Sequence, residues 1–147
     1  GALIRTIKMT KSKITISIEQ AEAELLNLLE AMDIDTDVDS MLPDNAEGFK
    51  NTLRNLAVPI TKGKAIIDGN SYILTLKNPL GDEKTLTISE PNGSAWDAMQ
   101  AAGKKDNGTK GVMLFSATMV KIPYAQLVKL PASDFKVIKE FALLFLA

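Results

Sequence analysis

Cysteine and histidine are both missing from this chain of 147 residues. Without cysteine there is no disulfide, no thiolate nucleophile and no thiolate metal site. Without histidine the commonest general base is gone, and so is the commonest ligand for zinc, copper or non-haem iron. Ser-His-Asp hydrolysis and imidazole-ligated zinc chemistry are therefore excluded on this chain alone. An enzyme would have to work with carboxylates, lysines or an oxygen-ligated hard cation. Long apolar runs are lacking too. The longest, 141–147, falls far short of the ~20 residues a membrane-crossing helix needs, so no membrane partner is expected. No basic segment followed by an apolar stretch opens the chain, so a secretory leader is not expected either. With no cysteine to protect, the composition fits a reducing cytoplasm.

What is present has an ordinary globular balance, with 46 % apolar and 24 % charged residues, at a length suited to one domain with a core of its own. Net charge is −1, but its layout is uneven. No lysine or arginine occurs between Lys13 and Lys50, a span that holds Glu19, Glu22, Glu24, Glu30, Asp33, Asp35, Asp37, Asp39, Asp44 and Glu47. Residues 1–62 carry seven basic and ten acidic groups, and residues 63–147 carry ten lysines against eight acids. Such a layout offers no track for a phosphate backbone, which argues against nucleic acid as a partner. The acidic stretch reads as a solvated face, with a basic protein partner as the alternative.

Met9-Thr10-Lys11-Ser12-Lys13 reads as a natural start, leaving residues 1–8 structurally uninformative. Residues 13–18 alternate Ile14, Ile16 and Ile18 with Thr15 and Ser17, the period of a short half-buried strand. Ser17 and Gln20 fit a capping box, and Ile18, Ala21, Leu25, Leu28, Leu29 and Met32 form the apolar stripe of a helix. Asp44 and Glu47 fit a second box. It opens a helix with Phe49, Leu53, Leu56 and Ala57 on one side, expected to stop before Pro59. From Lys64 the period becomes two. Strands over 65–67, 71–76 and 85–89, with turns at Asp68-Gly69 and 78–82, predict a three-stranded antiparallel meander with Tyr72, Leu74 and Leu76 on one face. Ser94 is expected to cap a short helix carrying Trp96, with Trp96 buried between helix and sheet. A helix over about 112–121 and another from near Ser133 complete the chain, around a loop tip at 104–111.

The order of elements predicts an α+β fold. A small three-stranded antiparallel meander is flanked by helices, with a C-terminal helical layer and an N-terminal strand-helix-helix unit. A boundary near 61–63 divides an N-terminal unit, 1–62, from a meander-plus-helices unit, 63–147.

Candidate chemistry is thin. Asp33, Asp35, Asp37 and Asp39 imitate the start of a calcium loop, but Val38 stands where the loop needs glycine and Asp44 where it needs a bidentate glutamate. A solvated acidic loop is preferred. Lys62-Gly63-Lys64 and Gly103-Lys104-Lys105 lack the spacing of a phosphate-binding loop. Glu90 and Asp97 suggest a carboxylate pair, but Asp97 is already accounted for as the capping partner of Ser94. No catalytic, cofactor-binding or metal-binding residue is assigned, no cofactor is expected, and the chain reads as no enzyme. The terminal segment 141–147 is apolar all round. Either it is buried on every side or it offers surface to another chain.

The stretch 73–147 resembles the small tail assembly chaperones of tailed bacteriophages and prophages. The features that carry the likeness begin with Leu76-Lys77-Asn78-Pro79-Leu80-Gly81, followed by the strand and corner Leu86-Thr87-Ile88-Ser89-Glu90-Pro91 and the short helix around Asp97. Then come a helix ending at Ile122-Pro123, a turn over 127–130, and Ser133-Asp134-Phe135 opening a terminal helix that finishes Phe-Leu. Residues 1–62 lie outside it. The resemblance implies a non-enzymatic assembly factor in the bacterial host cytoplasm. Such a factor coats the helical tape-measure protein, recruits tail-tube protein and leaves before the particle is finished. Many phages also make a longer frameshifted form. The expected contact surface is Phe135, Ile138, Phe141, Leu144 and Phe145, and removal of the residues beyond Glu140 is expected to abolish client binding. A homo-oligomer is a further expected association. The alternative is a structural tail or connector subunit that self-assembles and stays in the particle.

Overall fold

Ser17 starts the first helix. Its Oγ accepts a hydrogen bond from the Gln20 amide at 3.1 Å, which satisfies one of the donors a helix N-terminus leaves open. The computed structural model describes residues 16–105 and 108–147. Helix α1 runs Ile18–Ala31 and buries Ala21, Leu25, Leu28 and Leu29. Of the expected strand over 13–18, residues 13–15 lie outside the described residues. Ile16 and Ser17 have no strand partner, and Ile18 already belongs to α1.

Helix α2, Pro43–Thr61, corrects two expectations. Its N-cap is Leu42, with Pro43 opening the first turn. Asp44 thus lies inside the helix near its positive end and does not cap it. The helix also runs through Pro59. Proline removes one amide and disfavours a helical residue before it. Here it falls in the last turn, and continuing the helix brings Ile60 into the core beside Phe49, Leu53, Leu56 and Ala57.

Three strands follow in the order β1-β2-β3, all antiparallel. They are β1 Ala65–Asp68, β2 Ser71–Leu80 and β3 Glu83–Ile88. Asp68 pairs with Ser71 and Leu80 with Glu83, so each hairpin closes on two residues, Gly69-Asn70 and Gly81-Asp82. Gly69 and Gly81 both adopt φ 59°, while Asn70 and Asp82 keep negative φ. Positive φ at the first loop position alone is the pattern of a type II′ turn, which favours glycine there. The second turn is thus shorter than the expected 78–82. Asn78 and Pro79 belong to β2, where the residues from Leu76 to Pro79 face Lys84 alone. A proline is tolerated there because the ladder is already broken. The Lys77 amide donates to the Asp134 carboxylate at 2.9 Å.

The short helix α3, Gly93–Met99, is capped by Asn92, whose Oδ1 accepts from the Ser94 amide at 2.9 Å. Ser94 is not the cap, which leaves Asp97 without the capping role assigned to it. Trp96 is not sandwiched between helix and sheet. It stays 42 % exposed and sets its ring edge-on to Phe115 at 4.9 Å. Helices α4 (Thr109–Val120), α5 (Tyr124–Leu127) and α6 (Ala132–Leu146) form the C-terminal layer. The fold is α+β, as the sequence predicts.

One face of the sheet carries Leu74 and Leu86, then Tyr72 and Ile88, into the core. Helices α1 and α2 meet β1, α6 meets β2 and α4 meets β3. Tyr72 is the knot. Its hydroxyl donates to the Leu56 carbonyl of α2 at 2.8 Å, and its ring meets Phe141 of α6 edge-on at 4.9 Å. Among the described residues, no helix is long and apolar enough to cross a membrane.

Helices α1, α2 and α4 end alike. Ile34 donates to Leu29, Lys64 to Pro59 and Ile122 to Ala117, with Asp33, Gly63 and Lys121 at positive φ. This is the 6→1 bond of the Schellman motif. Glycine occupies one such site, but Lys121 must hold φ 61° with a side chain attached. Replacing Lys121 by Gly is expected to raise stability by about 0.5–1 kcal/mol, because left-handed backbone is costly for residues with a Cβ. Urea unfolding checks this, with a higher midpoint at unchanged slope.

Candidate functional site

The Schellman turn after α1 does more than stop a helix. It delivers Met32, Ile34 and the acidic loop to the side of the molecule where α2 begins and α6 ends. Between them lies a groove of about 840 Å³, within the range of roughly 300–1,000 Å³ usual for ligand sites. Its apolar lining comes from Met32, Ile34, Met41, Phe49, Leu143, Leu144 and Phe145. Its carboxylates are Asp33, Asp35, Asp44 and Glu140, and among the described residues no lysine or arginine lines it. Leu143 is 45 % exposed. Glu140 accepts from the Asn55 side chain at 3.1 Å, which ties α6 to α2 at the groove.

The five residues expected to contact a partner separate into three groups. Ile138 and Phe141 are fully buried in the core and present no surface. Phe135 is partly buried, packs against the core, and is not among the groove residues. Leu144 and Phe145 line the groove. Sequence reasoning placed Leu143 in the apolar segment 141–147 but not in the contact set, and it missed the contributions of Met32, Ile34, Met41 and Phe49. The signal available was the apolar pair Met41-Leu42 inside an otherwise acidic stretch, where Leu42 stands well exposed.

The aspartates of the loop hold its own turns. Asp35 Oδ1 accepts from the Asp37 amide at 3.0 Å, and the Asp37 carboxylate accepts from the Ser40 hydroxyl. Glu30 accepts from the Thr36 hydroxyl at 3.1 Å. No three acidic side chains converge on a metal-sized site among the described residues. Of the suggested carboxylate pair, Glu90 lines a second pocket of about 400 Å³ with Lys121, and Asp97 does not. Among the described residues Tyr72 is the titratable group with a clear shift. Burial pushes its phenol well above its ordinary value, which fits a structural hydroxyl held neutral in the core.

The groove thus combines an apolar floor, gathered from separate elements, with a rim of carboxylates. No family model, curated protein or solved structure matches this chain.

Proposed function

We propose that this chain is a non-enzymatic assembly factor, a phage tail assembly chaperone. It binds an apolar helical client, the tape-measure protein, and aids assembly of the tail tube in the bacterial cytoplasm. The observation that carries the reading is the groove at the end of α6, whose apolar lining includes Leu144 and Phe145. The resemblance over 73–147 supports it. No cofactor enters this account.

The outward face of the sheet favours a second reading. Ile66 is 56 % exposed and lies in register with Ile73 and Thr87, while β1 and β3 are both edges among the described residues. An uncovered face between two open edges is a route to self-assembly, and supports a structural tail or connector subunit. Mass spectrometry of purified particles from the host strain decides between them. A chaperone is found in the lysate and is missing from particles; a fixed copy number per particle establishes the structural subunit.

A further inference from the structure

We propose that the groove between α1, α2 and α6 binds an amphipathic cationic helix, one that lays an apolar stripe on the groove floor and sets lysines or arginines against its rim. The inference rests on the reading of this chain as a client-binding protein and names the class of segment it holds.

The first argument is charge. Asp33, Asp35, Asp44 and Glu140 rim the groove, and no basic residue occurs anywhere between Lys13 and Lys50 to offset the acids of that stretch. Helix α1 ends at the groove with no basic residue in its last turn. Helix C-termini carry partial negative charge that lysine or arginine ordinarily complements. Here that charge adds to the carboxylates. Low-dielectric walls focus such a field on whatever enters.

The second argument is backbone. Among the described residues the groove is walled by helices and a loop, and no strand contributes to it. An extended segment would find no ladder to join, and burying unpaired amides and carbonyls is costly. A helix satisfies its own backbone and needs only side-chain contacts. The floor suits it, because the half-buried Met41 is flexible and polarisable and adapts to different apolar side chains.

The test uses the full chain and a labelled helical peptide of about 18 residues, with leucines at i, i+3, i+4 and i+7 and lysines flanking the stripe. Fluorescence anisotropy is expected to give saturable binding, at least about tenfold tighter than for the same stripe flanked by glutamates, as charge complementarity requires. Raising the salt should erase most of that difference. The triple variant Asp33→Asn, Asp35→Asn, Asp44→Asn is expected to lose the preference while staying folded, since a carboxamide in place of the Asp35 carboxylate keeps an acceptor for the Asp37 amide. Leu143→Glu should weaken both peptides, with circular dichroism and Trp96 fluorescence unchanged.

Equal affinity for both peptides, or binding indifferent to both variants, overturns the proposal. So does finding the groove filled from within. Residues 1–15 include Arg5, Lys8, Lys11 and Lys13 and no acid, so a carbodiimide cross-link joining one of these lysines to Asp33 or Asp35 in the free monomer assigns the groove to the chain itself. A dimer that Leu143→Glu dissolves assigns it to a second copy. If peptides fail to bind while a long helical protein is still captured by the chain, the groove assignment falls and the chaperone reading stands on another surface.

Discussion

Phe141→Ala is expected to destabilise the fold by about 3–5 kcal/mol, the usual cost of emptying a fully buried aromatic site. Phe141 has no exposed surface and meets the Tyr72 ring edge-on at 4.9 Å. It fastens α6 to the sheet, so its loss leaves a cavity where helix and sheet meet. Against a total stability of roughly 5–15 kcal/mol for a domain, that loss removes a large share of the margin. Urea unfolding followed by circular dichroism measures it. A loss below about 1.5 kcal/mol would mean that α6 does not dock on the sheet as described. The same packing disqualifies one simple functional experiment. A chain cut after Glu140 loses Phe141 and Ala142, both fully buried, so lost client binding would report unfolding. Leu143→Glu alters the groove from an exposed position and is the better variant.

Tyr72→Ala is expected to cost a similar 3–5 kcal/mol, since it empties an aromatic core site and removes the hydroxyl that reaches across to α2. Tyr72→Phe separates the two contributions. It keeps the ring and gives up only the bond to the Leu56 carbonyl, a loss of about 1 kcal/mol. The alkaline arm gives a further signature. Burial holds the folded phenol above its ordinary value, whereas the unfolded phenol ionises near about pH 10. Above that pH the folded state retains a proton that the unfolded state has lost. The stabilisation tied to Tyr72 is therefore whole below about pH 10 and declines as pH rises toward the folded value. Urea midpoints at rising alkaline pH should fall more steeply for the natural chain than for Tyr72→Phe. Parallel profiles would show that the phenol is not protected.

Local signals made much of the fold legible. Ser17 and the stripe from Ala21 to Met32 mark α1, because a cap and an amphipathic period are written in adjacent residues. Alternation around Tyr72, Leu74 and Leu76, with Asp68-Gly69 before it, marks the hairpin. The errors have physical causes. Pro59 looks like a stop because its penalty is local, whereas the burial of Ile60 that offsets it is tertiary. Asn78 and Pro79 look like a turn because a break in the ladder is not written in the residues that tolerate it. Trp96 looks buried because large aromatics usually are. Segment 141–147 is ambiguous for good reason: Phe141 and Ala142 are buried, while Leu143 is exposed. The groove itself lies beyond sequence reading, since Met32, Ile34, Met41, Phe49 and Leu143 reach it from separate elements.

The most direct measurement is a tagged pull-down of the full chain, and of its Leu143→Glu variant, from cells expressing the surrounding gene cluster, with bound proteins identified by mass spectrometry. Recovery of a long, helical protein by the natural chain, several-fold reduced by Leu143→Glu, is the predicted result. Recovery of the chain alone, as a ring or tube, would contradict it.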